Sequence, residues 1–199
     1  MPRLYILAGC NGSGKTTASY TLLPELLKCR EFVNSDEFAK SLSPFNPSAA
    51  SVSASRYMLL KIRYLLSKQA SFSIETTLAT RSLLGIIKQA KELGYNVTLL
   101  YFWVNSPEFA IKRVQARVAA GGHNIPEDVV RRRYVMGLKY FFEIYAPVCD
   151  RWILADNTKT PFTVVAESNN IDTFIRDEQR YKTIRDICYP PSGPAEADE

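Results

Sequence analysis

Histidine is nearly missing from this chain of 199 residues: His123 stands alone, and none of the four cysteines shows C-x-x-C or Cys/His spacing. Cys10, Cys29, Cys149 and Cys188 are scattered, which argues against a zinc ribbon and a dense disulfide frame and leads us to expect a reducing, cytoplasmic setting. No apolar run approaches the ~20 residues of a membrane span. Pro2-Arg3 leads straight into a short strand-like run, so neither a membrane partner nor a secretory leader is expected. There is no internal repeat and no long linker. The length and ordinary hydrophobic fraction of 46% fit one globular domain with a substantial core.

What is present is unevenly placed. The formal net charge is +5, and residues 111–139 hold Lys112, Arg113, Arg117, Arg131, Arg132, Arg133 and Lys139 against only Glu127 and Asp128. So concentrated a basic stretch implies an anionic partner: a nucleotide, a sugar phosphate or a nucleic acid. The end "PPSGPAEADE" has no apolar periodicity, and residues 189–199 are expected to form a disordered acidic tail behind a domain spanning 1–188.

Apolar runs predict strands at Leu4–Ala8, Glu31–Asn34, Ser71–Ile74, Asn96–Val104 and Trp152–Ala155, with a weaker one at Phe162–Ala166. Helical patterns fall between them at Gly14–Leu27, Ala54–Gln69, Arg81–Leu93, Pro107–Ala120, Pro126–Tyr145 and Ile171–Ile187. Strands alternating with helices predict an α/β fold of three layers: a mostly parallel sheet of about five strands flanked by helices. Residues 107–145 would form an arginine-bearing helical lid hinged at Gly121-Gly122. Tyr134, Tyr140, Phe141, Phe142 and Tyr145 lie at helical spacing and read as core packing.

Gly9-Cys10-Asn11-Gly12-Ser13-Gly14-Lys15-Thr16 matches GxxxxGK[ST] in full, after an apolar strand and before a helix. Its glycines let backbone N–H groups of Asn11, Gly12, Ser13 and Gly14 turn inward around phosphate oxygens, and the helix start adds its positive end. Lys15 can reach the β- and γ-phosphates, Thr16 can ligate Mg²⁺, and Thr17 continues the cradle. ATP and Mg²⁺ are the cofactors this pattern calls for. A guanine-reading NKxD, an LSGGQ-type element and a long strand ending in Asp-Glu are all absent, which argues against GTPase switches, transporters and motors. A P-loop kinase with an alcohol acceptor is the expectation that remains.

In such a sheet ligands gather at the carboxyl ends of the strands. "EFVNSDEFA" puts Asp36 just after the second strand, where a carboxylate could take the proton of an acceptor hydroxyl and serve as a second metal ligand. Its bland alternative is an N-cap for a helix over Phe38–Leu42. "SFSIETTLATR" puts Glu75, Thr76 and Thr77 after the third strand; for Glu75, substrate or metal contact stands beside a simple pairing with Arg81 or another base. Arg113 and Arg117, four apart, share a helical face toward the nucleotide, whereas Arg131, Arg132 and Arg133 must diverge by ~100° each. Arg132 is taken as the one facing the site. Asn157 or Thr158, in "ADNTKTP", is a candidate contact for adenine. His123 fits a capping role better than catalysis.

With the loop, "NSDEFA", "SIETTLAT" and "RVQARVAAGGHNIPEDVVRRRY" in view, residues 3 to 158 resemble the zeta toxin group of P-loop kinases. The resemblance implies five parallel strands flanked by helices and ATP-dependent phosphorylation of a nucleotide sugar, UDP-N-acetylglucosamine. It puts Lys15 and Thr16 on ATP and Mg²⁺, Asp36 on the base, Glu75 and Thr77 on the substrate, and Arg117 with one of Arg131 to Arg133 on the phosphates. An antitoxin partner belongs to that group. After the base, this chain reads "DEFAKSLSPFNP", without the arginine and His-Pro pair of that group. Two alternatives stay open: a polynucleotide kinase or nucleic-acid-binding ATPase, and a nucleotide-binding regulator without transfer activity.

Overall fold

In the computed structural model, which describes residues 1–22, 27–122, 124–169 and 171–190, a seven-stranded sheet runs through the molecule. Five strands are parallel: β1 (Arg3–Ala8), β2 (Glu31–Val33), β3 (Phe72–Thr76), β4 (Asn96–Trp103) and β5 (Arg151–Asp156). Two more, β6 (Thr163–Ser168) and β7 (Thr173–Ile175), continue the edge antiparallel, so the spatial order is β2-β3-β1-β4-β5-β6-β7. The helices are α1 (Lys15–Thr21), α2 (Ser35–Leu42), α3 (Ser51–Ser67), α4 (Leu84–Glu92), α5 (Pro107–Ala119), α6 (Glu127–Tyr140) and α7 (Glu178–Cys188).

Parallel strands need both faces covered, and the residues supply it. Leu4, Ile6 and Ala8 of β1 enter one core with Ile62, Ile74, Leu99 and Tyr134, while Tyr5 and Leu7 enter the other with Leu22, Leu100 and Phe102. β1 lies in the middle, with Ile6 level with Ile74 on one side and Leu99 on the other. This register sets the ends of β1, β3 and β4 side by side, and all three loops open on the same edge.

Two expected helices need correction, and the alternative of a capping Asp36 is set aside. The helix predicted over Ile171–Ile187 starts only at Glu178, where the Asp177 side chain accepts from Arg180 N at 2.9 Å; Thr173–Ile175 pairs with β6 instead. Asp36 is not a cap: Asn34 closes α2 by accepting from the backbone N–H of Asp36 and Glu37, which leaves the Asp36 carboxylate unused by the helix. The long helix predicted to Tyr145 widens into a π-helical turn at Phe141–Tyr145. That turn keeps Phe141 and Tyr145 wholly buried, with the Phe141 ring 5.1 Å from Tyr101 and 5.5 Å from Trp152. The last part of the first predicted helix at residues 23–26, His123, and residues 191–199 of the acidic tail lie outside the described residues.

Candidate active site

The loop from Gly9 to Gly14 leaves β1 and delivers Lys15 to the first turn of α1. Gly12 and Gly14 adopt φ of +79° and +83°, left-handed values that L side chains rarely take. The loop is pinned from outside: Asn157 Nδ2 donates to Ser13 O at 2.7 Å, and Arg133 donates to Asn11 Oδ1 at 2.9 Å. Lys15 is buried and curls over the loop, its ammonium donating to Cys10 O at 2.9 Å. Cys10, inside the turn, has its thiol pushed up to about 11 by burial, with the Lys15 charge opposing, so it remains a protonated packing residue.

Glu75, the penultimate residue of β3, lies level with Leu7 beside the loop. Its carboxylate accepts from Thr16 Oγ1 at 2.8 and 3.0 Å and from Asn34 Nδ2 at 2.9 Å, and Lys15 Nζ lies 3.9 Å away. Burial raises its pKa; Lys15 and Thr16 oppose that rise, and the charges of Asp36 and Glu37 add to it. Of the pairings with a base that the sequence left open, the one made is with Lys15, while Arg81 lies over the Tyr140 ring. Asp36, exposed in the first turn of α2, faces the same cavity from the far side.

That cavity encloses about 580 Å³. Its polar lining includes Asn11, Gly12, Lys15, Thr16, Asp36 and Glu75, and its apolar lining is Ala18, Leu22, Pro161 and Phe162. Gly14, Thr17, Arg113, Arg117, Asn157 and Thr160 complete the lining. Ser13 supports the loop from behind, its side chain fully buried. Sequence reasoning missed the apolar wall, because Pro161 and Phe162 come from the β5–β6 connection, far along the chain from the Ala18 and Leu22 they join. Phe162 is held there edge-on to Phe102 at 5.6 Å.

The arginines divide in a way their spacing did not foretell. Arg132, expected at the site, is exposed and away from the cavity. Arg133 takes its place beside the loop, half-buried, where burial lowers its pKa and the charge of Asp36 opposes that. Arg131 pairs with Glu108 on the surface. The apolar stripe Val130, Tyr134 and Leu138 puts Arg132 on the opposite face of the helix, with Arg131 and Arg133 flanking the stripe on its two sides. Arg113 donates to the carbonyls of Asn157 and Thr158 at 2.9 and 3.2 Å and lies over the Phe109 ring, so it braces the β5–β6 connection as well as lining the cavity. Asn157, a candidate for adenine, directs its amide at the loop backbone instead. Thr77 is half-buried past β3 and does not reach the cavity lining. Asp156, buried at the end of β5 and also unforeseen, accepts from Thr158 N at 2.8 Å and pairs with Arg180 of α7.

A phosphate loop between a central parallel strand and a helix, with one carboxylate near the end of the adjacent strand β3 and another just after β2 beyond it, defines the P-loop kinase-like class of α/β fold. The chain belongs to the AAA domain family, whose profile matches residues 4–136. An uncharacterized protein of Haemophilus influenzae is 35% identical over 126 residues, 63% of this chain and 88% of that one. Among solved structures, a chain of the AvrRxo1-ORF1:AvrRxo1-ORF2 complex with sulphate ions superposes with a TM-score of 0.75 at 20% identity, over 92% of this chain. The present chain spans only 63% of that one's length. A structure from the PezAT chromosomal toxin-antitoxin system of Streptococcus pneumoniae gives 0.66 at 16% identity, covering 98% of this chain and 82% of that one. The resemblance to the zeta toxin group read from the sequence thus extends to the fold.

Proposed function

We propose that this protein is an ATP-dependent kinase that transfers the γ-phosphate to a hydroxyl of a small-molecule acceptor. The observation that carries this reading is the convergence of Lys15, Thr16, Glu75 and Asp36 on one cavity beside the P-loop. The apolar wall of Ala18, Leu22, Pro161 and Phe162 suits the flat face of adenine, which leaves the polar lining for the triphosphate. Lys15 then neutralises the β- and γ-phosphates from within the loop. Arg117 at the cavity wall and Arg133 beside Asn11 add positive charge where the transferring group develops its own.

The donor set also fits Mg²⁺. Thr16 and Glu75 present hard oxygen donors in contact with one another, and Mg²⁺ is held by one or two carboxylates together with substrate phosphates rather than by an all-protein cage. When bound, Mg²⁺ neutralises charge on the β- and γ-oxygens. Asp36, across the cavity, takes the proton of the acceptor alcohol as its oxygen bonds to the γ-phosphorus. The bond from that phosphorus to the β–γ bridging oxygen breaks, and ADP leaves.

The acceptor is a hydroxylated metabolite; the zeta resemblance makes a nucleotide sugar such as UDP-N-acetylglucosamine the first to try. The bonding of Arg113 to the β5–β6 connection and of Arg133 to the P-loop supports a small acceptor over a nucleic-acid strand, since both guanidinium groups are engaged at the cavity. An antitoxin-like partner protein is the further proposal that the PezAT likeness motivates. Among the described residues, no helix is long and apolar enough to cross a membrane. The test is a metabolite extract incubated with ATP, Mg²⁺ and protein, then searched by mass spectrometry for species that gain one phosphate. Such species should form with the natural protein and vanish with Asp36→Asn; an extract left unaltered by the natural protein would refute the kinase reading.

A further inference from the structure

Between the P-loop and the base stands a residue that neither touches the cavity nor packs as core. Asn34 is 5% exposed, and its side chain uses both ends. Its Oδ1 accepts from the backbone N–H of Asp36 at 2.8 Å and of Glu37 at 3.4 Å, while its Nδ2 donates to Glu75 Oε2 at 2.9 Å. Glu75 in turn holds the Thr16 hydroxyl. A continuous chain of hydrogen bonds therefore runs from the P-loop, through Glu75 and Asn34, to the backbone that carries Asp36.

We infer that Asn34 is a positioning residue for phosphoryl transfer, coupling the orientation of Glu75 at the P-loop to the placement of Asp36. This rests on the kinase reading above. The amide is the side chain the position requires: the cap needs an acceptor, Glu75 needs a donor, and a planar group must present the two in opposite directions from one rotamer. An aspartate would satisfy the cap and confront Glu75 with a second carboxylate. A serine would also satisfy the cap, being as good an N-cap residue, but lacks the donor arm that spans to Glu75. The two roles of Asn34 can therefore be separated by substitution.

The experiment compares the natural protein, Asn34→Ser and Asn34→Asp, using transfer of labelled γ-phosphate from ATP into the metabolite extract. Binding of ATP with Mg²⁺ is measured by calorimetry and helix content by circular dichroism. The coupling predicts that Asn34→Ser keeps helix content and holds its ATP affinity within about threefold, yet loses about 10–100-fold in transfer rate at saturating ATP. Asn34→Asp should show at least the same loss of transfer with ATP affinity likewise kept. A role confined to capping would leave the transfer rate of Asn34→Ser where it was, and that result overturns the inference. If the natural protein labels nothing in the extract, the kinase reading and this inference fall together. If it labels the extract and Asn34→Ser does so equally, only the inference falls.

Discussion

Gly12 sits where the P-loop meets α5, and a Cβ built there would lie 2.2 Å from the Ala110 carbonyl oxygen and about 3 Å from its Cα and carbonyl carbon. The Gly12→Ala variant therefore meets two separate costs. Holding a non-glycine residue at φ +79° costs roughly 1–2 kcal/mol, and forcing the loop and helix apart adds about 1–3 kcal/mol. Together this is about 2–5 kcal/mol, or a fall in Tm of roughly 4–20 °C for a domain of this size. Two other glycines isolate the parts. Gly94 has the same φ of +79° with nothing within 4 Å, so Gly94→Ala should cost only the conformational part, about 1–2 kcal/mol. Gly85 lies exposed in α4 with ordinary backbone and open space, and its alanine should stabilise by about 0.5–1 kcal/mol. Denaturant unfolding of the three variants gives the order, and ATP titration should show weakened binding for Gly12→Ala alone. A Gly12→Ala protein that unfolds together with Gly94→Ala and binds ATP normally would refute the contact between loop and helix.

Other expectations concern the charged groups. Lys15→Ala should lower turnover by about 10²–10³, since it removes a buried cation aimed at the phosphates; steady-state kinetics with unchanged constants would count against the loop assignment. Arg133→Ala should weaken ATP binding by about fivefold, the equivalent of about 1 kcal/mol for a half-exposed group, whereas Arg132→Ala should leave it unchanged. Calorimetry showing the reverse order would restore Arg132 to the site. Burial raises Glu75 in the native state above its unfolded value, so the folded protein holds more protons across that window. Stability of the nucleotide-free protein should therefore fall as pH rises from the ordinary glutamate range through the raised value. Melting curves of Glu75→Gln should lose that slope, and a slope that persists would assign it to another group.

The phosphate loop was legible because all its signals are contiguous: glycines, lysine and hydroxyl follow one another between a strand and a helix. Asp36 and Glu75 could be placed at the cavity from strand order alone, since in a parallel sheet the residue after a strand is at the ligand edge whatever its neighbours are. The choice among Arg131, Arg132 and Arg133 needed a phase as well as a spacing. The stripe Val130, Tyr134 and Leu138 excluded Arg132, and choosing it ignored that; separating Arg133 from Arg131 needed their partners, Asn11 and Glu108. Asn34 also left a local trace: an asparagine at a strand end followed two and three positions later by acids has the composition of a helix cap and first turn. Its bond to Glu75, 41 positions away, had no such trace. The apolar wall at Pro161 and Phe162 and the anchoring of Asp156 by Arg180 arise between elements distant in the chain, so no local pattern announces them. The strand at Thr173–Ile175 was hidden because three residues are too few to show alternation against the helical pattern that follows.

Asp36→Asn offers the most direct measurement, with ATP affinity and phosphoryl transfer to the extract read on the same preparation. An acid that serves only to receive the acceptor's proton should leave the Kd for ATP with Mg²⁺ within about twofold while transfer falls by about 10²–10⁴. Transfer that continues at the natural rate in Asp36→Asn would contradict the assignment of this carboxylate, and with it the account of how the cavity works.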